Sequence, residues 1–231
     1  MNITVMLGFA NVATADRTLS ELEKTWDGAA PLYIVDNCYP GTPAEFWIHW
    51  ADRLGGKVLS PGKNIGLHHG LNFAIKETGA TKMIGVDPDT WPVTKGWDTA
   101  LLSALELPSV GWASLWNEHS AGEMRQRGYT ESTEGGMKLW TTKAPVVNSI
   151  CAFNLDWVRE AGGFTEPSEF YGGLECAMWA RLVPKKRRWV WLCDFLEGKF
   201  DTMLEDTEYK RYKWAHAHEG WHGSFGDWLL R

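Results

Sequence analysis

Short apolar runs and helical stripes alternate through the first hundred residues. Ile3 to Leu7 is an uninterrupted apolar-rich run of strand length. Leu19, Leu22 and Trp26 follow near helical spacing within 16–26, which predicts an amphipathic helix. Leu32 to Val35 is a second short run and ends at Asp36-Asn37. Thr42-Pro43-Ala44-Glu45 has the form of a capping box with Pro at the first helical position. Phe46, Trp47, Trp50 and Leu54 would form the inner face of the helix that follows. A third strand is expected over 56–59. Next comes a helix over 67–76 with Leu71, Ala74 and Ile75 inward, and then a fourth strand over 82–86.

That order predicts an α/β fold, a mostly parallel central sheet with helices on both faces. The remainder is less regular. A helix is expected over 94–105, strands over 110–116, 146–153 and 189–193, and a helix over 171–182. The stretch 117–143 is polar, shows little periodicity and reads as a long loop. Beyond Asp194 the chain reads as a polar, aromatic tail. No internal repeat or low-complexity linker interrupts it, so a single domain over 1–231 is expected. Its halves would be 1–105 and 106–231.

Composition narrows this reading. Hydrophobic residues are 44% and charged residues 23% of 231, which suits one globular core. No apolar run approaches the roughly 20 residues that span a bilayer. Ala13-Thr14-Ala15 resembles a cleavage site, but no Lys or Arg precedes Arg17 and Asn2, Thr4 and Asn11 interrupt the apolar stretch. A retained first strand is therefore expected, not a cleaved leader. Cys38, Cys151, Cys176 and Cys193 have no C-x-x-C spacing and read as reduced thiols. A cytoplasmic location follows, in a bacterium or a phage-infected host cell. The net charge of −6 argues against indiscriminate nucleic-acid binding, although basic residues cluster at 185–188 and 210–213. Of the fifteen Trp some must be core, and the excess is compatible with platforms for flat ligands, either sugar rings or bases.

The chemistry concentrates at predicted strand ends. Asp87-Pro88-Asp89 follows the fourth strand, and Thr90-Trp91-Pro92 then breaks the chain. Two carboxylates one residue apart can hold a divalent cation against a phosphate, although Pro between them also suits a plain turn. Asp36 ends the second strand. Both acids should share the carboxyl rim, where α/β sheets bind ligands.

Four pieces occur in order: Val35-Asp36-Asn37; Lys63-Asn64-Ile65-Gly66 continuing through Gly70-Leu71-Asn72; Asp87-Pro88-Asp89; and Gly162-Gly163-Phe164 followed by Gly173-Leu174-Glu175. This set resembles the family-2-like nucleotide-sugar glycosyltransferases of the GT-A fold, over roughly residues 2–183. The resemblance implies a donor-binding first half, an acceptor-binding second half and a nucleotide-sugar donor, with uracil as the expected base. Asp36 would then accept a hydrogen bond from the base. Asn37, Lys63, Asn64, Gly66, Asn72 and Asp87 would complete the nucleotide site. Asp87 and Asp89 would bind Mn²⁺ or Mg²⁺, and a late histidine, His218 or His222, would add a ligand.

The chain departs from the family in its last element. Family members commonly carry Glu-Asp where this chain has Glu175-Cys176. Glu175 or Glu169 is the expected catalytic base, and whether transfer retains or inverts configuration stays open. The expected acceptor is a glycan, or hydroxymethylated pyrimidines in phage DNA. Two other classes compete: a sugar nucleotidyltransferase, which needs a Gly-rich basic loop after the first strand, and a non-enzymatic Trp-rich carbohydrate-binding protein.

Overall fold

The computed structural model describes residues 1–116, 130–141, 149–160, 162–164 and 186–199. The predicted first half is present, with β1 (Asn2–Gly8), α1 (Val12–Thr25), β2 (Leu32–Asp36), α2 (Ala44–Arg53), β3 (Lys57–Leu59), α3 (Gly66–Thr78) and β4 (Lys82–Val86). Then follow β5 (Thr90–Pro92), α4 (Trp97–Ala104), β6 (Val110–Trp116), β7 (Thr130–Glu134), β8 (Met137–Thr141), β9 (Ile150–Asn154), α5 (Leu155–Glu160) and β10 (Arg188–Lys199). The strands form one mixed sheet in the order β3-β2-β1-β4-β9-β6-β10-β8-β7, with β5 paired to β10. The core β3-β2-β1-β4 is parallel. β9 enters antiparallel between β4 and β6, and β10 lies parallel to β6.

Alternation along the strands sends side chains to two cores. Ile3, Val5 and Leu7 of β1 pack with α3 and α5, whereas Met6 packs with α1, α2 and α4. Helices therefore cover both faces, as the βαβ pattern requires. Six tryptophans (47, 97, 112, 157, 189 and 191) are fully buried, so much of the Trp content is core. Two of these indoles bond within the core, whereas Nε1 of Trp47, Trp97, Trp112 and Trp191 has no partner among the described residues. Trp157 Nε1 donates to Gly111 O at 2.8 Å and Trp189 Nε1 to Ser114 Oγ at 2.7 Å.

Several local expectations fail for identifiable reasons. The Thr42 hydroxyl does not cap α2; it donates to Ala10 O at 2.8 Å, and Pro43 is the N-cap with no side-chain bond. α1 begins earlier than its apolar stripe, because Asn11 Oδ1 accepts from Thr14 N at 2.8 Å and caps it. The expected loop over 117–143 contains the β7–β8 hairpin, turned by Gly135 and Gly136 at φ +55° and +78°. Thr90-Trp91-Pro92 does not merely break the chain, since it pairs with Glu197–Lys199 and draws β10 past its expected end. A Cβ at Gly198 would lie 2.3 Å from Trp91 Nε1, so that pairing requires glycine. The expected strand over 146–153 is β9 over Ile150–Asn154, its first part at 146–148 and the helix expected over 171–182 lying outside the described residues.

Arg188 at the head of β10 donates to both carboxylate oxygens of Glu134, at 2.9 and 2.8 Å. This bidentate pair holds the Glu134 carboxyl below its usual range. A depressed carboxyl stabilises the fold fully above its unfolded pKa and loses that contribution as pH falls through its folded value. Glu134→Gln should therefore cost below about 1 kcal/mol at neutral pH. The deficit against wild type should close on acidification, and melting temperatures at pH 7 and below pH 4 would check it.

Candidate active site

The parallel register brings the predicted acids to one rim. Gly8 at the end of β1 pairs with Asp36 at the end of β2, and Met6 pairs with Val86, so Asp87 lies one residue beyond the last β4 pair. Asp36 and Asp87 therefore flank the end of β1, about 10 Å apart at two strand spacings. Asp36 is buried, and its Oδ1 accepts from Cys38 N at 3.0 Å. Cys38 takes φ +54°, which folds the chain back over the carboxylate. Burial, reinforced by that carboxylate, raises the Cys38 thiol above its ordinary value, so it sits neutral beside the site.

Asparagine side chains tie the separate sequence pieces together. Asn37 Oδ1 accepts from Ile65 N at 2.9 Å, and Asn37 N donates to Gly8 O at 3.2 Å. This fastens the end of β2 to the loop before α3. Asn64 Oδ1 accepts from Gly66 N at 2.9 Å, and Gly66 takes φ +75°, a conformation suited to glycine. Lys63 is exposed on the same loop. Asn72, nearly two turns into α3, donates through Nδ2 to Phe164 O at 2.6 Å and accepts at Oδ1 from Phe164 N at 3.0 Å. Both ends of its amide thus hold the Gly162-Gly163-Phe164 turn. Gly162 and Gly163 have φ +91° and +85°, and a Cβ on Gly163 would come 3.1 Å from Asn72 Oδ1.

Asp87 is half-buried, and its N–H donates to Ser149 O at 3.0 Å. Its carbonyl accepts from Thr90 N and Thr90 Oγ1, both at 3.3 Å, which closes the turn. Asp89 is only 2% exposed. Two hard oxygen donors in one turn fit Mn²⁺ or Mg²⁺ when water and phosphate oxygens complete the shell. Among the described residues no group of three or more His, Cys, Asp or Glu gathers into a cage. His218, His222, Glu169 and Glu175 lie outside the described residues.

Beside Asp87 a small cavity opens between α3 and the sheet, lined by Leu7, Leu71, Gly85, Ser149 and Cys151 among others. Ser149 and the aromatics beyond it carried no motif in the sequence, and only the β9 pairing brings them to the rim. The basic residues 186–188 do not reach that rim, because Arg188 pairs with Val110 at the amino end of β6.

No protein-family model matches the chain, and no curated protein sequence does. Solved structures do match it in fold. A mannosyltransferase from Pyrobaculum calidifontis, in complex with GDP-Man and Mn²⁺, superposes with a TM-score of 0.68 at 13% identity, over 92% of this chain and 59% of that one. GalNAc-T7 with UDP, GalNAc and Mn²⁺ gives 0.63 at 12% identity, over 98% and 52%. Glucosyl-3-phosphoglycerate synthase from Mycobacterium tuberculosis, with Mn²⁺, UDP and phosphoglyceric acid, gives 0.59 at 12%, over 95% and 78%. The chain thus has the GT-A fold. It spans a little over half the length of the first two structures.

Proposed function

We propose that this protein is a metal-dependent glycosyltransferase that moves a sugar from a nucleotide sugar, UDP-linked, to an acceptor hydroxyl. The observation that carries the reading is the convergence of Asp36, Asn64-x-Gly66 and Asp87-x-Asp89 on one carboxyl rim of a GT-A sheet. In this reading Asp36 accepts from an imide N–H of the base, which uracil has and cytosine lacks. The loop at Asn64, Lys63 and Gly66 lies against the nucleotide, where the α3 N-terminus favours phosphate. Asn37 and Asn72 act as positioning residues. Asp87 and Asp89 would hold Mn²⁺ or Mg²⁺, and the metal supplies charge stabilisation to a departing diphosphate. His218 or His222 would add a ligand, and Glu175 or Glu169 would take the acceptor proton.

The rival classes fit less well. A nucleotidyltransferase would need a Gly-rich basic loop after β1. Here Phe9-Ala10-Asn11 leads directly into α1, with Asn11 engaged as its cap. Carbohydrate-binding modules are usually all-β, unlike this sheet with helices on both faces. A glycan acceptor suits the net charge of −6 better than hydroxymethylated DNA. The described cysteines, Cys38, Cys151 and Cys193, are free thiols, in keeping with a cytoplasmic protein. Among the described residues no helix is long and apolar enough to cross a membrane. We read residues 1–231 as one functional unit, with the donor side in 1–105.

Calorimetry with UDP and Mn²⁺ tests the proposal. Wild type should bind UDP only with the metal present, and Asp36→Ala should weaken binding by about 1.5–3 kcal/mol, the scale of a hydrogen bond to a charged group. Equal affinity in the variant would remove Asp36 from the site. Preference for GDP over UDP would retain the transferase and change the donor.

A further inference from the structure

A continuous row of aromatic side chains crosses the sheet on its α3–α5 face and surfaces near the rim. It runs from Phe153 to Trp112 at 4.6 Å between ring centroids, and from Trp112 to Trp189, stacked at 4.1 Å. Trp191 stacks on Trp189 at 5.7 Å, and Trp116 meets Trp191 edge-on at 6.5 Å. Trp140 then lies 5.4 Å from Trp116. Trp112, Trp189 and Trp191 are fully buried, whereas Trp116 and Trp140 are half-buried. The row therefore ends in two indoles that keep accessible surface.

Strand register gives this end an address. β9 pairs Val86 with Ile150 on one side and Ser114 with Cys151 on the other. Continuing both registers by the residues between sets Asp87 and Trp116 level with Ser149, on its two sides. They stand about 10 Å apart, two strand spacings, and Asp36 lies in the opposite direction along the rim. A donor base at Asp36 and a diphosphate at Asp87 would thus point the transferred sugar toward Trp116.

The charges around the pair select its ligand. Glu131 sits directly across from Trp140 on β7, with its half-exposed carboxylate 3.1 Å from Lys138 Nζ. Asp194 is close enough to bear on Lys138 as well. The Glu131–Lys138 pair sets an acceptor and a donor for sugar hydroxyls beside the aromatic face. Flat apolar C–H faces of a pyranose suit an indole surface. From this placement we infer that Trp116 and Trp140, with Glu131, form a platform for a pyranose ring of a glycan acceptor. This rests on the transferase reading.

The experiment presents the full chain to immobilised glycans ending in glucose, galactose, mannose or N-acetylhexosamine, and to an oligonucleotide containing hydroxymethylcytosine. UDP with Mn²⁺ is titrated in parallel. Trp116→Leu and Trp140→Leu keep apolar bulk and remove the aromatic face; Trp140→Phe restores one. Wild type should retain at least one glycan class, each Leu variant should bind it at least tenfold more weakly, and Trp140→Phe should recover most of the loss. UDP binding should stay constant throughout. The platform is overturned by absence of glycan binding alongside intact UDP binding, by Leu variants that bind as wild type does, or by preference for the oligonucleotide. Equal loss of UDP binding in the Leu variants would overturn it too, by placing the pair in the donor site. Trp-dependent glycan binding without UDP binding would support the platform and sink the transferase reading.

Discussion

Asp89→Asn should lower turnover by at least about 100-fold, equivalent to about 2.7 kcal/mol of transition-state stabilisation. The substitution keeps shape and removes charge. Asp89 is buried at 2% exposure, and Asn nearly matches Asp in size, so the turn that Thr90 closes on the Asp87 carbonyl keeps its packing. Folding should therefore be nearly unaffected. If the carboxylate holds a divalent cation against the diphosphate, activity and metal affinity fall together while the melting temperature moves little. Steady-state rates across a Mn²⁺ titration, with melting curves on the same samples, would check this. A variant that keeps full activity but melts many degrees lower would make Asp87-Pro88-Asp89 a structural turn.

Glu175→Gln should lower kcat by a comparable margin, about 100-fold or more, because a positioned base contributes that much to proton transfer. The proposed nucleotide-binding residues lie upstream, between Asp36 and Asp87, so affinity for the nucleotide sugar should hardly change. The Gly162-Gly163-Phe164 turn that precedes Glu175 is pinned to α3 by Asn72. Cys176 stands where the family resemblance expects a second acid. A neutral thiol accepts hydrogen bonds weakly, and its usual pKa of about 8.5 leaves little thiolate at neutral pH. Cys176→Ala should then keep most activity. An inactive Cys176→Ala beside an active Glu175→Gln would reverse the assignment, and loss of activity in Glu169→Gln alone would transfer the role to Glu169.

The β-α-β alternation up to Val86 was legible because each element there carries its own periodic signal. Buried parallel strands are continuous apolar runs, and their helices show stripes at 3.6 spacing. The β7–β8 hairpin was not legible by that signal, since Thr130–Glu134 is polar throughout and is a strand only through pairing at the sheet edge. Gly135-Gly136 between two five-residue segments was the cue available. Thr42 misled for a similar reason. It has the residue type of a cap, but Ala10 O, 32 residues away, claims its hydroxyl.

The sequence by itself determined the identity and order of the candidate site's chemical groups, because strand ends, glycine turns and paired carboxylates are local features. It also implied that Asp36 and Asp87 share a rim, which follows from parallel strands alone. Only the tertiary structure decided what joins these groups. Asn37 reaches Ile65, Asn72 reaches Phe164 across 92 positions, and Ser149 receives the Asp87 N–H. Such bonds depend on register and packing between distant segments, to which no local pattern is sensitive. The same holds for tryptophan. All fifteen look alike in the sequence, and only the sheet order separates the fully buried six from the half-buried Trp116 and Trp140.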